Sequence, residues 1–331
     1  MSKIKFKAGS QPGHPKYLQL IDSVMNSLQN GELRAGESLP SVNQLIRDNK
    51  ISRDTIVKAY NELKKRGVVD SVPNKGYFIR EDSEKIFLFL DTYSAFKEGL
   101  YNAFRSELPD TTDIEILFHH YNFRVFESMI NNSLGRYSNY VIMCYDEPRI
   151  AEVLKKLPPE RVLILDVKMH VSDNYSFVIQ DFEESFYNCL VEAKSGFKKY
   201  NEILFIHPPQ SMHPLPARYA FERFCLENGL KGFVKNSLKT SDIEYGKAFI
   251  VVSDNDLALI VEQSKKLKLR IGRSIGLVSY NDTPLKKIIG DGITVISADF
   301  GLMGKKAAIA VKGKDLFKEI VPAKLVWRNS L

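Results

Sequence analysis

Between Leu39 and Gly67 the chain reads LPSVNQLIRDNKISRDTIVKAYNELKKRG. Ser41, Asn43, Ser52, Arg53 and Thr55 place short hydroxyls, an amide and a guanidinium at the starts of two periodic runs. Lys75 and Gly76 follow in a turn between two β-prone stretches. Amides and hydroxyls at a helix start bind anions, and guanidinium is a planar fork of donors that matches paired acceptors. Such groups together suit a polyanion. The charge distribution agrees: of a net charge of +7, residues 1–82 hold 14 Lys+Arg against 9 Asp+Glu, and the remainder holds 33 against 31. Most of the positive excess therefore sits in the first quarter, which favours a polyanionic partner for that part. On charge alone, a basic face that is merely solvated remains the alternative.

The elements that must position these residues are legible. Residues 1–14 are expected to be a flexible arm. From Pro15, PKYLQLIDSVMNSLQNG puts Leu18, Ile21, Val24, Met25 and Leu28 on one helical face, and Gly31 stops it. After ELRAGESLP, SVNQLIRDNK reads as a short helix with Ser41 as N-cap and Gln44 completing a capping box. Ser52 caps a third helix, with Asp54 in its first turn, where the helix dipole favours negative charge. In that helix Ile56, Ala59, Tyr60 and Leu63 form an apolar stripe, and Gly67 ends it. VVDSVPNKGYFIRE then reads as two short strands around a turn. Residues 15–80 thus have the order of a winged helix-turn-helix, and residues 81–85 are a charged linker.

Beyond it the rhythm changes. KIFLFLD, IEILFHH, YVIMCYD, RVLILDV, EILFIHPP, AFIVVSD, IGLVSYND and ITVISAD read as strands, with a further strand near Gly232–Val234. Helices are expected at 94–107, 123–134, 147–156, 181–196, 217–228, 255–267 and 301–311. Strands apolar on both faces that alternate with helices imply a parallel sheet covered on both sides. Residues 86–331 exceed what one such sheet needs, so two doubly wound lobes with a cleft at the strand C-terminal ends are expected. The first lobe takes about 86–180 and 297–320, the second about 181–296 and 321–331.

Several function classes are disfavoured. Cys144, Cys189 and Cys225 are widely spaced and odd in number, which fits a reducing compartment and no disulfide framework. No apolar run reaches membrane-spanning length, and MSKIKFKAGS has no apolar stretch behind its basic residues, so a cytoplasmic protein without secretory signal is expected. No CxxC or HExxH points to a metal, and GxSxG, a phosphate-cradling loop and a dinucleotide loop are all missing. His119, His120 and His207 lie at strand ends with no partner pattern that makes them catalytic. Neither an enzyme nor a cofactor is expected.

The stretch from Tyr17 to Ile79 closely resembles the DNA-binding domain of the GntR family, through the Gly31 turn, AGESLPS, SRDT and the wing NKGYFI. The resemblance implies that Ser52, Arg53 and Thr55 open a recognition helix that enters the major groove. Arg53 is then expected to grip guanine through its two groove acceptors, with a phosphate contact as its alternative. Ser41 and nearby amides suit phosphate, and Lys75 and Gly76 form a wing tip that approaches the minor groove. Two positions depart from the family: Asn43 stands where arginine is frequent, and Asp54 is unusual so near phosphates.

Residues of about 85–331 resemble the sugar-sensing domain of the lac- and galactose-repressor family, built like periplasmic sugar-binding proteins. The matching pieces are ILDV, ARYAFERFCLENGL, FIVVSDNDLAL, IGLVSYNDTPL and ITVISADFGLMGKKAA. Carried over by position, Asp166, Arg218, Asn255 and Asn281 would project into the cleft and grip sugar hydroxyls. The family often has an acid at Asn281. Tyr93 and Phe96 either stack on a sugar face or pack in the core. With no hinge helix visible, the combination is similar to the arabinose-repressor type of GntR regulator. It implies a homodimeric transcription regulator, expected to be a repressor, that binds double-stranded operator DNA and responds to a monosaccharide or sugar phosphate. A regulator of a non-sugar metabolite, a DNA-binding head fused to an α/β enzyme and a transport component are the alternatives.

Overall fold

The computed structural model describes residues 15–34, 36–72, 76–80, 84–169, 174–313 and 315–331. The expected arm at 1–14, most of the linker and Lys75 lie outside the described residues. The chain separates into two compact units: Met1–Phe87 with Asp110–Glu115 and Met129–Ser138, and Leu88–Pro109 with Ile116–Ser128 and Asn139–Leu331.

In the first unit, α1 (Lys16–Gln29), α2 (Val42–Asn49) and α3 (Arg53–Lys65) precede an antiparallel pair, β1 (Val69–Val72) and β2 (Gly76–Ile79). This is the expected winged helix-turn-helix. Ile56, Ala59, Tyr60 and Leu63 of α3 are fully buried against Leu20, Ile21 and Val24 of α1 and Leu45 of α2. The stripe read from spacing is therefore the core of this fold.

The α/β part carries an eleven-stranded sheet. Its strands are β3 (Lys85–Leu90), β4 (Asp113–Phe118), β5 (Asn139–Met143), β6 (Val162–Asp166), β7 (Ser176–Asp181), β8 (Glu202–Ile206), β9 (Gly232–Lys235), β10 (Lys247–Val251), β11 (Gly276–Tyr280), β12 (Thr294–Ala298) and β13 (Lys318–Val326). They lie in the order β4-β3-β5-β6-β7-β13-β12-β11-β10-β8-β9. The first five and the last five repeat one doubly wound order, in which the second strand lies outside the first and the rest follow on the other side. The strands between are joined by α4 (Ala95–Ser106), α5 (Phe123–Ser133), α6 (Ile150–Leu154), α7 (Glu184–Glu192), α8 (Lys194–Phe197), α9 (Leu215–Glu227), α10 (Asp254–Lys266) and α11 (Phe300–Lys312).

Alternation explains why the strands read as continuously apolar. Ile203 and Phe205 of β8, with Ala248 and Ile250 of β10, pack with the helices of one face. Leu204, Ile206, Phe249 and Val251 pack on the other. Both faces are covered, as a parallel sheet requires.

Two strands were not expected, β7 and β13. The series therefore omits a crossing, and the helix expected at 181–196 is two pieces, Glu184–Glu192 and Lys194–Phe197. The helix expected at 147–156 shrinks to Ile150–Leu154. In β13 exposed residues, Lys318, Ile320, Pro322, Lys324 and Val326, alternate with buried or half-buried ones, so it lacks the buried apolar run of its neighbours. Its first half pairs parallel with β7, from Lys318 opposite Phe177 to Pro322 opposite Asp181. Its second half pairs antiparallel with β12, from Ala323 opposite Ala298 to Val326 opposite Val295. The exchange of partners falls at Pro322, whose missing N–H suits a break in a ladder.

Candidate functional site

The first candidate site is the start of α3. Ser41 caps α2, its hydroxyl accepting from the Gln44 N–H at 3.2 Å. Lys50 ends α2 in the left-handed region at φ 51°, and Ile51 drops into the core. Ser52 then caps α3, accepting from the Thr55 N–H at 3.4 Å, and the two hydroxyls lie 2.8 Å apart. The hydroxyls of Ser52 and Thr55 thus define the helix start. Arg53, the first helical residue, is exposed and its side chain makes no ion pair or hydrogen bond among the described residues. Asn43 and Asp54 are exposed as well. The Tyr60 hydroxyl donates to the Pro40 carbonyl at 2.6 Å and ties α3 to the segment ahead of α2. Burial, and then the neighbouring Tyr77, push its phenol pKa well up, so it stays a donor. Gly76 is exposed with φ 89°, a conformation few side chains adopt.

The second candidate site lies at the C-terminal ends of the strands, where ligands bind in open α/β sheets. Asp91, just after β3, forms a buried ion pair with Lys97 of α4. It also accepts from the Thr92 N–H at 2.6 Å and from the Tyr121 hydroxyl at 2.5 Å. Burial opposes its ionisation, but Lys97 and these donors outweigh it and hold the carboxyl below its usual pKa. Tyr121 is presented by a turn in which His120 and Tyr121 both have positive φ, 49° and 56°. His119 stabilises that turn: its Nδ1 accepts from the Tyr121 N–H at 3.1 Å, and its Nε2 lies 3.0 Å from the Met143 carbonyl. Burial pushes His119 down to about 4, so Nε2 carries the proton of a neutral ring.

From there the network continues along the sheet. Asp166 ends β6 at φ 72° and accepts from the Gln180 amide. Burial, and then the charge of Asp91, push its carboxyl up to about 6. Gln180 accepts from the Tyr280 hydroxyl at 3.4 Å. The Tyr280 ring lies 4.5 Å from His213, edge to face, and His213 lies 5.6 Å from His207. Burial pushes His213 down to about 3 and lowers His207 too, so both rings are neutral. Ser94 Oγ, Tyr145 OH, His207 Nε2, His213 Nε2 and Asn281 Oδ1 are buried with no hydrogen-bond partner among the described residues. Such atoms are costly unless something polar meets them.

The expected residues divide. Asp166 and Asn281 belong to the strand-end network, and Asn281 sits in the left-handed region at φ 62°. Lys286, 3% exposed, secures that turn by donating to the Tyr280 and Asn281 carbonyls, 2.9 Å each, and pairing with Asp254 at 2.9 Å. Arg218 stands at the edge: its charge helps lower the His207 pKa, but its guanidinium is held by Glu222 at 2.9 Å along α9. Asn255 is exposed in the first turn of α10, its N–H donated to Ser253. Tyr93 is 68% exposed and bonded to Glu98. Phe96 packs on Phe300 with ring centres 4.6 Å apart, which is the core-packing alternative. Asp91, Lys97, Tyr121, Tyr145, Gln180, His207, His213 and Tyr280, which form or adjoin the strand-end network, are not among the residues expected there. Seven of them carry a signal: Asp91, Tyr121, Tyr145, Gln180, His207 and Tyr280 end or follow strands, and Lys97 lies six residues past Asp91. His213 carries none, because it sits in a loop.

Residues 16–79 match the family profile "Bacterial regulatory proteins, gntR family". The segment is a GntR-type winged helix. The chain is 36% identical over 70 residues to the uncharacterized HTH-type transcriptional regulator YcxD of Bacillus subtilis, covering 21% of this chain and 16% of that protein. It is 28% identical over 71 residues to the arabinose metabolism transcriptional repressor of Geobacillus stearothermophilus, covering 22% of this chain and 20% of that protein. The chain thus spans less than a quarter of the length of both relatives. Among solved structures it is similar to a lac repressor dimer bound to operator and the anti-inducer ONPF, with TM-score 0.63 and 18% identity over 79% of this chain and 99% of that one. The trehalose repressor from Escherichia coli gives TM-score 0.61 and 14% identity over 73% and 100%. At such identities the likeness establishes the fold: the α/β part has the architecture of these repressors and of periplasmic binding proteins. Among the described residues no helix is long and apolar enough to cross a membrane.

Proposed function

We propose that the protein is a transcription regulator whose winged helix binds operator DNA and whose strand-end network binds a small carbohydrate effector. The observation that carries this reading is the buried polar chain Lys97–Asp91–Tyr121 and Asp166–Gln180–Tyr280, set beside aromatic rings and five buried polar atoms without partners among the described residues. Carboxylates and amides grip vicinal hydroxyls, and ring faces cover the apolar side of a sugar. Lys97 is already neutralised by Asp91, so among the described residues this network offers a phosphate group no unpaired buried cation. This favours an unphosphorylated monosaccharide over a sugar phosphate.

On DNA, Arg53 reads a base and the helix starts capped by Ser41 and Ser52 meet phosphates. A homodimer places two such heads on a palindromic operator. Effector binding alters DNA affinity only through its differential affinity for two arrangements of the protein, with release from DNA as the expected sign. The similarity to the matched arabinose repressor covers 71 residues, 22% of this chain, so it supports only part of this reading. A thermal-shift screen of monosaccharides and their phosphates tests the effector claim, since a ligand of the folded state raises the melting temperature. A shift with an unphosphorylated sugar is expected. No shift with any compound removes the carbohydrate claim and leaves the DNA claim standing.

A further inference from the structure

A cavity of about 540 Å³ lies away from the strand-end network. Its floor is apolar, from Val261, Leu269 and Ile271, and its rim holds Lys265, Arg270, Arg273 and Asp291. The volume is within the range of about 300–1,000 Å³ typical of small-ligand sites. Its walls are the last turn of α10, the turn leading into β11, and the turn leading into β12. It therefore opens at the N-terminal ends of these strands, opposite the end that carries Tyr280 and Asn281.

Backbone shape makes the hollow. Gly272 has φ 81° and is pressed against the C-terminal segment, where an added Cβ would stand 1.9 Å from the Asn329 carbonyl oxygen. Gly290, Asp291 and Gly292 follow one another at positive φ, 57°, 63° and 101°, so the opposite wall curls inward. The Asn329 amide donates to the Asp291 carbonyl at 2.8 Å and holds the walls together.

The charges are unbalanced. Lys265, Arg270 and Arg273 are exposed, and their side chains make no ion pair or hydrogen bond among the described residues. Nearby cations behave differently: Lys266 pairs with Glu262 at 2.7 Å, and Lys247 with Glu244 at 2.9 Å and Glu202 at 3.1 Å. Asp291 is the one acid among the described residues that line the cavity. Three like charges around an apolar floor raise the local anion concentration, and the floor rewards an apolar body.

We propose that this cavity is a second binding site, for a small anion that carries an apolar group, such as a phosphate ester or carboxylate of an aromatic or aliphatic body. The proposal does not depend on what the strand-end network binds.

Isothermal titration of the full-length protein with phenyl phosphate, and separately with inorganic phosphate, tests it. Phenyl phosphate is expected to bind saturably and at least about tenfold more tightly than phosphate, because only the ester fills the floor. Arg270→Gln with Arg273→Gln weakens it at least about tenfold, Asp291→Asn tightens it severalfold, and Arg53→Ala on the winged helix leaves it unchanged. Asparagine tolerates the left-handed backbone at 291, so that variant remains informative if the arginine pair fails to fold. Absence of saturable binding, equal affinity for the two probes, or no tightening by Asp291→Asn would overturn the proposal.

Discussion

Lys97→Met isolates the ion pair at the head of the strand-end network. Both partners are buried, Lys97 at 5% and Asp91 at 6% exposure. Removing one partner of such a pair leaves an uncompensated charge and costs about 3–5 kcal/mol. Asp91 would keep two donors, the Tyr121 hydroxyl and the Thr92 N–H, which places the loss at the lower end, about 3 kcal/mol. For a domain of this size each kcal/mol shifts the melting temperature by about 2–4 °C, so a drop of about 6–12 °C is expected.

The pH dependence carries the sign. In the native protein the Asp91 pKa is depressed, so its contribution is present above the unfolded carboxylate pKa and lost as pH falls through the folded value. Without Lys97 the folded pKa lies above the unfolded one, so the penalty is full at neutral pH and disappears as pH falls below about 4. Calorimetric melting from about pH 2 to 8 measures both, with Asp91→Asn/Lys97→Met as the second variant. The double variant should recover most of the loss, because no charge is left unpaired. A single variant that loses less than about 1 kcal/mol, the scale of exposed pairs, or a double variant less stable than the single, would refute this account of the pair.

Arg53→Ala should abolish discrimination between operator and random DNA in mobility-shift assays and leave a weaker, salt-sensitive binding; retained sequence preference removes its base-reading role. Asp166, held up to about 6, becomes ionised as pH rises through that value, so effector affinity should rise between about pH 5 and 7; Asp166→Asn should flatten that profile in titration calorimetry. Lys286→Met frees the Asn281 turn and should weaken effector binding by about tenfold, with little effect on DNA binding by the free protein in anisotropy titrations. Gly304→Ala sets a Cβ 2.2 Å from the Leu100 carbonyl oxygen, where α11 lies against α4, and should cost about 1–3 kcal/mol in urea unfolding.

The winged helix was almost wholly legible because its determinants are local. Ser41 and Ser52 announce helix starts, Gly31 and Gly67 announce stops, and the stripe from Ile56 to Leu63 has one period. The repeated strand order was legible only as a count of apolar runs, since β7 and β13 lack the continuous pattern of buried strands. What hid β13 is its alternation of exposed and buried residues and the proline in its middle, which reads as a strand breaker although it marks only the exchange of partners. Asp166 and Asn281 were singled out because resemblance marks their positions, and both sit at strand ends with positive φ. Asp91, Tyr121 and Gln180 gave no such signal, because their network is made of hydrogen bonds between residues far apart in sequence. Tyr93 and Phe96 follow β3 as Asp91 does, but their side chains meet Glu98 and Phe300 rather than the network.

The most direct test of the account is an anisotropy titration of labelled DNA from upstream of the gene, with and without the monosaccharide that raises the melting temperature. Coupling between two sites in one regulator is about 1–3 kcal/mol, or about 5–150-fold in affinity. The account predicts a change of operator Kd within that range for the wild-type protein, and none for Asp166→Ala. An operator Kd that is the same with and without a sugar known to be bound would contradict it.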